Sequence, residues 1–500
     1  MNYKMTGYTL GTILKFEAVF FTIPLITAIC YFEWMELLSI MATAAICATI
    51  GFALSWRKPE NMKLYAKDGF VIVSLSWILL SLFGALPFVI SGAIPNYIDA
   101  LFETVSGFTT TGATILSGAQ IESMAKSMLM WRSFTHWVGG MGVLVFVMAI
   151  LPLSGAQNMH LMRVESTGPD VSKIVPRVRK TAIILYLIYF SFTLILFILL
   201  LLDNLFHSDA ANKMTVMDAA CTAFGTAGTG GFGIRGDSMA SYSNYVQIIC
   251  TVFMLVFSIN FNSYFLILKG KILDAFNSEV KTFLIIVFVA ITAITADVFI
   301  SDITGCESFF DALRHSAFTV ASIISTSGYV TLDFNLWPEF SKTILIIIMF
   351  IGACAGSTAG GIKVYRIVIL IKGMFRELGM LIRPRQIKKI TVDKKPVDSE
   401  VIRTVNAHII TLLIICVSSF LLLSFDNYAV AEGSSQLVTN FTAVATTISN
   451  VGPGLDMVGP SGNFAFYSPF SKIVLSFNML AGRLELFPML ILFSPSTWKK

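Results

Sequence analysis

Four short polar segments interrupt the long apolar stretches of this chain. Each is rich in glycine, threonine, serine or asparagine, follows a short apolar run of half-helix length, and precedes another long apolar run. They lie at residues 109–114, 227–232, 325–330 and 449–454. Non-helical backbone is tolerated at membrane depth only where it is buried in protein or lines a water-filled path. The four segments therefore predict a pore lined by carbonyl oxygens.

The composition places the chain in a membrane. Mean hydropathy is +0.77 and 55% of the residues are hydrophobic. Apolar runs of about 20 residues match a hydrocarbon core of ~30 Å. The first run contains Lys15 and Glu17 and lacks a clear cleavage site, so we interpret it as a retained span and not a signal peptide. Ten runs are found, near 12–32, 37–56, 70–92, 127–151, 181–202, 244–268, 282–300, 342–371, 404–424 and 471–493.

Charge predicts the orientation. With both termini placed in the cytoplasm, 27 of the 35 Lys and Arg residues fall on the cytoplasmic side, as the positive-inside rule requires. By the same assignment 17 of the 30 acidic residues lie outside, where they would raise the local cation concentration. This distribution accounts for the net charge of +5 without a nucleic-acid partner. The seven scattered cysteines predict neither a disulfide framework nor a metal site.

A long internal repeat organises the chain. The glycines Gly112, Gly230, Gly328 and Gly452 are separated by 118, 98 and 124 residues. The predicted fold is an all-α integral membrane protein of ten transmembrane helices, with four helix–pore loop–helix repeats in a pseudo-four-fold pore. The predicted units are two extra N-terminal helices (1–68) and repeats at 69–175, 176–275, 276–395, with a broken inner helix, and 396–500.

The polar segments supply the candidate selectivity filter. Backbone carbonyls in rings can replace the water around a cation, and glycine permits the backbone conformations that this needs. Ordinary Gly-rich turns are the alternative, but small-residue loops recur at matched places in four hairpins. The candidate filter residues are Thr110, Thr111, Gly112, Gly228, Thr229, Gly230, Thr326, Ser327, Gly328, Asn450, Val451 and Gly452.

A break in the long run at 342–371 supplies a candidate gate. Small residues in mid-helix permit local unwinding, and a loop here would lie just below the third polar segment. A kink for close helix packing remains the alternative. A phosphate-binding loop is excluded because Ile362 stands where that motif needs lysine. The candidate gate residues are Ala353, Cys354, Ala355, Gly356, Ser357, Thr358, Ala359, Gly360 and Gly361.

Two polar residues inside apolar runs need an explanation. Arg483 lies within the last run, where an arginine is costly unless it faces a pore, water or a partner. The alternative role of Arg483 is a structural ion pair with Glu485. This role is disfavoured because residues two apart on a helix do not face each other. We interpret His136 as a residue that hydrogen-bonds between helices and not as a ligand.

These residues together resemble the membrane subunit of the bacterial Trk/Ktr potassium-uptake systems, and more closely its TrkH branch. The four polar segments carry the resemblance, with residues 131–142, 354–363 and 482–485. It implies K⁺ uptake across the cytoplasmic (inner) membrane of a bacterium, with K⁺ as the transported ion at the filter residues and no cofactor. It also implies that Arg483 lies in the pore beneath the filter, as a fixed positive charge.

The same resemblance implies partners. It predicts a homodimer in membrane lipid and a separate cytosolic nucleotide-binding ring protein of the TrkA type. One departure is the second segment, where Gly225 and Gly228 precede the Thr-Gly-Gly stretch and predict a looser loop. Only glycine recurs in all four segments, which predicts weaker selectivity than in a symmetric tetramer.

The sequence also bears on three functions other than K⁺ uptake through a filter. An ion-coupled cation symporter would show inverted two-fold repeats and acidic residues at the bilayer midplane. A less selective Na⁺/K⁺ channel would share the same architecture. An intramembrane enzyme would need paired catalytic groups or metal ligands within the spans, and the sequence shows none, so we predict that the chain is not an enzyme.

Overall fold

A computed structural model describes residues 1–61, 64–142, 178–206, 213–301, 303–383 and 389–498. Within these ranges the chain is mainly helical, with one antiparallel pair of two-residue strands, Thr391–Val392 and Lys395–Pro396. The boundary predicted between the first two repeats, at 175/176, lies outside the described residues.

Six long apolar segments of the described chain could cross a membrane, and a seventh could if a bent helix pair counts as one span. This supports an integral membrane protein, while the count of ten spans stays a prediction. The helices of the six segments are Tyr3–Phe20 with Thr22–Cys30, Trp34–Leu54, Ala66–Gly84 with Leu86–Ile90, Val178–Phe206, Ser278–Ile300 and Ser399–Leu423.

Four shorter helices precede the polar segments. They contain 12 to 16 residues, or about 18–24 Å at the helical rise, so each reaches only part of the way through a bilayer. A side chain caps the first turn of each, from Asn96, Thr215, Ser308 and Ser435. We call them pore helices 1 to 4: Tyr97–Phe108, Val216–Gly228, Phe309–Ile324 and Gln436–Ser449.

An inner helix follows each pore helix, and in the part of the chain that the structure describes three of the four are interrupted. Inner helix 1 is Lys126–Gly140, and the others are Asn244–Ser258 with Phe261–Leu268, Glu339–Ile351 with Val364–Ile382, and Pro469–Arg483 with Phe487–Ile491. The remaining elements are Gly118–Ser123, Ile272–Ala275, Pro495–Trp498 and the 3-10 turns Phe334–Leu336 and Asp456–Val458.

Two of these interruptions correct the sequence prediction of uninterrupted runs. The run at 244–268 bends by 89°, because the Asn260 side chain caps a new helix by accepting from the amide of Asn262. The last run stops at Arg483, because Glu485 and Leu486 take positive φ angles of 57° and 70° before the next short helix. Arg483 therefore lies at the end of a helix and not in the middle of one.

The hydrophobic core links the pore helices in a circle. One cluster of buried residues joins the N-terminal helices to pore helices 1, 2 and 4 and to inner helices 1 and 4. A second joins pore helix 3 and inner helix 3 to the fourth polar segment through Val451, and a third joins pore helix 2 and inner helix 2 to pore helix 3 through Phe318. Each polar segment is thereby held next to its neighbour in the chain, and the fourth next to the first.

The N-terminal helices attach to inner helix 1 through Glu33, which lies between Thr22–Cys30 and Trp34–Leu54. Its carboxylate accepts from the amides of Lys126 and Ser127 at 2.6 and 2.8 Å, and from the Ser127 hydroxyl at 2.5 Å. These are amide groups that the first turn of inner helix 1 leaves without a helical partner. A carboxylate there also interacts favourably with the helix dipole.

We predict that Glu33→Ala lowers the free energy of unfolding by about 1–2 kcal/mol, the usual cost of a lost N-terminal cap. The measurement is the thermal midpoint of the purified protein in detergent. Glu60→Ala, which removes an exposed carboxylate from the segment after Trp34–Leu54, serves as the control. An equal midpoint for the two variants would show that Glu33 does not fasten the N-terminal helices.

Candidate functional site

The four polar segments share one backbone conformation. At the end of each pore helix one residue takes a left-handed conformation, with φ between 56° and 58°. The amide of the next residue then bonds a carbonyl five residues back, at 2.8–3.0 Å in every segment. This arrangement is a Schellman motif, which normally has glycine at its left-handed position. Here the left-handed residues are Thr110, Thr229, Thr326 and Asn450.

Threonine in this conformation is unusual. Contact between Cβ and the backbone costs an L-residue roughly 1–2 kcal/mol in the left-handed region. Such strain persists only where the surroundings over-determine the conformation, and it clusters at functional sites. Three threonines and one asparagine at matched positions therefore mark these segments as a candidate site.

Two residues after the left-handed position, each segment carries a glycine with positive φ. The second segment corrects the sequence prediction, because Gly231 and not Gly230 takes this place. The stretch that matches 110–112 is therefore 229–231, and Gly228 is the last residue of pore helix 2. The register follows from Thr229, which ends that helix in the left-handed conformation. The four glycines are Gly112, Gly231, Gly328 and Gly452, with φ of 80°, 63°, 81° and 103°.

These glycines bring the four segments into a closed ring. A Cβ on each one would overlap or crowd a carbonyl oxygen of the next segment, and the fourth segment meets the first. The gap from an ideal Cβ on Gly452 to the oxygen of Thr111 is 2.7 Å, too short for a real side chain. In order, the pairs are Gly112 with Gly230, Gly231 with Ser327, Gly328 with Val451, and Gly452 with Thr111.

A cavity of about 140 Å³ opens on one side of this ring, and all four glycines line it. Arg132 also lines it and is only 2% exposed. Its Nε donates to Glu103 at 2.6 Å, Nη1 donates to the Gly233 carbonyl at 2.8 Å, and its guanidinium lies 3.6 Å from the Phe232 ring centre. The charge of Arg132 at this mouth is thus balanced by Glu103.

Sequence reasoning missed the pair of Arg132 and Glu103. The signal was present, because Arg132 lies in an apolar run just as Arg483 does, and an intramembrane arginine needs a partner. What the sequence does not show is that Glu103, 29 residues earlier, faces it from pore helix 1. Glu103 also accepts from the Thr114 hydroxyl and the Ile115 amide, so it ties the first polar segment to inner helix 1.

Acidic residues in the first turns of three pore helices are paired with cations. Asp99 accepts from Lys472 at 2.6 Å, Asp218 lies 3.4 Å from Arg235, and Asp311 lies 3.1 Å from Arg314. The Ser308 hydroxyl and Arg314 hold the pKa of Asp311 below its usual value. The pairing of these three carboxylates with cations reduces the negative field that the sequence predicted at this face.

On the other side of the ring, residues 353–361 form the loop between Ile351 and Lys363, and we call it the gate loop. Its Gly360 amide donates to the Thr326 hydroxyl at 2.8 Å, so the loop contacts a left-handed residue directly. A Cβ on Gly360 would overlap the carbonyl of Ser449 beside the fourth segment. The gate loop thus lies against the third and fourth segments, on the face away from the glycine-lined cavity.

Hydrogen bonds also hold the gate loop to inner helix 2 and to Ser278–Ile300. The Cys354 amide donates to Ser258 at 3.2 Å, and the Gly356 carbonyl accepts from Phe261 at 3.1 Å across the break in inner helix 2. The Ala355 amide donates to Glu279 at 2.6 Å. The loop is an ordered, hydrogen-bonded element between three neighbouring parts of the molecule.

Arg483 joins the gate loop to inner helix 1. Its Nη1 donates to the Thr358 carbonyl at 2.6 Å, and its Nη2 donates to the carbonyls of Gly139 and Gly140 at 2.5 and 2.7 Å. The structure therefore brings together the gate-loop and arginine residues that the sequence singled out separately. Glu485 does not pair with Arg483 but with Arg366, at 2.5 Å.

The family model of TrkH, described as a cation transport protein, matches residues 37–500. The chain belongs to the TrkH family. It is 34% identical over 465 residues to the Trk system potassium uptake protein TrkH of Salmonella typhimurium, covering 92% of each chain. It is 30% identical over 507 residues to the protein of that name from Halomonas elongata, covering all of both.

A solved structure has the same fold. The crystal structure of the potassium transporter TrkH from Vibrio parahaemolyticus matches with a TM-score of 0.85 at 30% identity, covering 100% of both chains. The family predicted from the sequence is confirmed, and with it a role in cation transport and not in enzymatic catalysis. The assignment of filter and gate residues stays a prediction. The ring of four segments and the gate loop are the structural elements on which it depends.

We predict that Thr326→Val loosens the gate loop, because it removes the hydroxyl that accepts from Gly360 without changing the side-chain shape. A lost buried hydrogen bond of ~1 kcal/mol raises amide exchange of residues 353–361 on the order of fivefold. Hydrogen–deuterium exchange with mass spectrometry measures this. Thr229→Val is the matched control, since the Thr229 hydroxyl donates to Gly228 instead. Equal exchange of the gate loop in both variants would contradict the anchoring role of Thr326.

Proposed function

We propose that this chain conducts K⁺ inward across the cytoplasmic membrane of a bacterium, through a filter formed by its four polar segments. The observation that carries the proposal is the closed ring, in which glycines of each segment allow the carbonyls of the next to approach. Carbonyl oxygens arranged in this way can replace the hydration shell of a cation. Relatives of the same fold are named as potassium uptake proteins.

In this proposal the filter residues are 110–112, 229–231, 326–328 and 450–452. The second stretch is moved by one residue from the sequence prediction, so that Gly231 replaces Gly228. The carbonyl ends of all four pore helices lie beside these stretches. Their partial negative charges would stabilise a cation next to the ring.

The gate in this proposal consists of the gate loop and Arg483. The arginine bridges the loop to inner helix 1 below the ring, so loop and charge obstruct the same path. A positive charge disfavours a cation nearby, and more so in a low-dielectric site. Opening would break the bonds to Thr358, Gly139 and Gly140 and move the loop aside.

Further parts of the proposal concern assembly. We propose ten spans, two of them N-terminal to a pseudo-four-fold pore, with repeat boundaries at 68/69, 175/176, 275/276 and 395/396. The chain would form a homodimer with both termini in the cytoplasm. A cytosolic nucleotide-binding ring protein of the TrkA type would regulate it as a separate partner. The name "Trk system", which the relatives carry, is consistent with several components.

Two alternative functions differ from this proposal in selectivity or in ion coupling. A less selective Na⁺/K⁺ channel would have the same ring with looser carbonyl positions. An ion-coupled symporter would move K⁺ only together with Na⁺ or H⁺. Flux assays in proteoliposomes with K⁺, Rb⁺, Na⁺ and Li⁺, with and without an imposed proton gradient, separate the three functions.

We predict that serine at any of Gly112, Gly231, Gly328 and Gly452 lowers the K⁺ over Na⁺ preference on the order of tenfold. A Cβ at these positions strains a positive-φ backbone and pushes on a carbonyl of the neighbouring segment. The measurement is the ratio of ion fluxes in proteoliposomes. Gly7→Ser is the control, because a Cβ there meets nothing within 4 Å. Unchanged ratios in all four filter variants would refute a shared filter.

A second prediction concerns the gate. Arg483→Ala should raise basal K⁺ flux through the purified protein on the order of tenfold, which corresponds to about 1.4 kcal/mol of barrier. Shortening the gate loop should also raise flux. Because both changes act on one barrier, their effects should not add.

Arg403→Ala is the control for this experiment, because it removes an exposed arginine from the helix Ser399–Leu423. Folding of each variant is checked by its thermal midpoint. A folded Arg483→Ala protein whose basal flux equals or falls below the wild type would show that the arginine is structural and does not gate.

A further inference from the structure

His136 connects two of the polar segments from behind. It belongs to inner helix 1, and its side chain is fully buried between pore helix 1 and the second segment. Nδ1 lies 2.8 Å from the carbonyl oxygen of Gly107, a residue of pore helix 1 two positions before the first segment. Nε2 lies 3.3 Å from the amide nitrogen of Phe232, directly after the ring glycine Gly231. One imidazole thus contacts both pore helix 1, which leads into the first segment, and the second segment itself.

These two partners fix the state of the imidazole. A carbonyl oxygen can only accept, so Nδ1 must carry the proton and donate it to Gly107. A backbone amide can only donate, so Nε2 must be unprotonated and accept from Phe232. A doubly protonated ring would place an N–H against the Phe232 amide and lose that bond. The contacts therefore require a neutral imidazole in the Nδ1–H form.

The imidazole of His136 also explains why the second segment has no side chain next to its ring glycine. The other three segments have side chains next to the ring glycine, from Thr111, Ser327 and Val451, whereas the second has Gly230. The ideal Cβ position of Gly230 falls within the imidazole of His136. The histidine from inner helix 1 therefore fills the volume that a side chain of the segment occupies in the other three.

A second difference between the segments leads to the same residue. In the third and fourth segments a hydroxyl of the pore helix supports the residue after the ring glycine: Ser322 donates to Tyr329 at 2.6 Å and Thr446 to Pro453 at 3.2 Å. The corresponding residue of pore helix 2 is Gly225, which has no hydroxyl. In the second segment the matching residue is Phe232, and His136 holds it instead.

Arg132 supports the same end of this segment. It lies one helical turn before His136, on the same face of inner helix 1. It donates to the carbonyl of Gly233 and stacks on the Phe232 ring, while His136 packs on Phe232 with 4.3 Å between ring centres. The second segment is thus held by a neighbouring helix, where the third and fourth are held by their own pore helices.

We propose that His136 is a positioning residue for ion selectivity: as a neutral Nδ1–H imidazole it sets the Gly230 carbonyl and fixes the second segment against the first. This inference rests on the proposed K⁺ filter. It assigns the orientation of one quarter of the ring to a side chain that does not touch the ion. It also accounts for the Gly-rich second segment, which the sequence predicted to be loose.

The test compares His136→Ala, His136→Asn and His136→Gln by ion flux of the full-length protein in proteoliposomes. We expect the alanine variant to lose K⁺ over Na⁺ preference on the order of tenfold, the factor for one to two lost hydrogen bonds. Asparagine keeps a donor for Gly107 and glutamine keeps an acceptor for Phe232, so each should recover part of the preference. A folded alanine variant with wild-type selectivity would overturn the inference.

A rescue experiment separates positioning from general stability. Gly230→Ala should lower both the thermal midpoint and the selectivity, because the methyl group overlaps His136. The double variant with His136→Ala should be no worse than His136→Ala alone. Gly231→Ala should not be rescued, since its Cβ overlaps the Ser327 backbone and its φ is 63°. Additive losses in the first pair, or rescue of Gly231→Ala, would overturn the inference.

The two readouts distinguish this inference from the proposed function. If the wild type does not conduct K⁺ selectively, the proposed function fails, whatever the variants do. If the wild type is selective but Gly230→Ala and His136→Ala behave independently in midpoint and flux, only the role of His136 fails. The thermal midpoints test the packing of His136 against Gly230 even for variants that conduct nothing.

Discussion

The structure depends on one constraint: four lengths of non-helical backbone must approach one another closely between the helices of a membrane protein. Each pore helix ends in the same two hydrogen bonds, which use up amides that would otherwise be left without partners. The ring glycines then let each segment contact a carbonyl of the next. The two bonds of each segment occupy the amides of the left-handed residue and of the residue that follows it. In the proposed function, carbonyl oxygens of these stretches replace the hydration shell of a cation.

The four segments share a backbone but not a support. The third and fourth are held by hydroxyls of their own pore helices, the second by His136 and Arg132 of inner helix 1, and the fourth also by Asn450. The Asn450 amide donates to the Thr111 hydroxyl at 3.0 Å and to the Met479 carbonyl at 2.8 Å. A single chain permits such differences, because each repeat mutates separately. The strain of the left-handed residues is thus offset by different contacts in different segments.

Much of this could be predicted from the sequence. Length and hydropathy indicated the membrane helices, and four Gly-rich breaks at matched positions indicated the segments of the ring. The register of the second segment could not be predicted, because Gly228, Gly230 and Gly231 compete for one place and the end of pore helix 2 decides. The bend at Asn260 and the partners of Arg483 and His136 are contacts between residues far apart in sequence. Hydrophobic periodicity carries no information about such contacts.

The position of the gate loop follows from this unequal support. Thr326, a left-handed residue of the third segment, accepts from the loop at Gly360, while Asn450 at the matching place is already bonded to the first segment and inner helix 4. The loop therefore leans on one quadrant, and Arg483 on inner helix 4 holds it to the opposite one through Gly139 and Gly140. In the proposed gate a single arginine holds a single loop, which four identical subunits could not arrange. The same inner helix 1 carries His136, so this helix contacts the second segment of the ring as well as the arginine that bonds the gate loop.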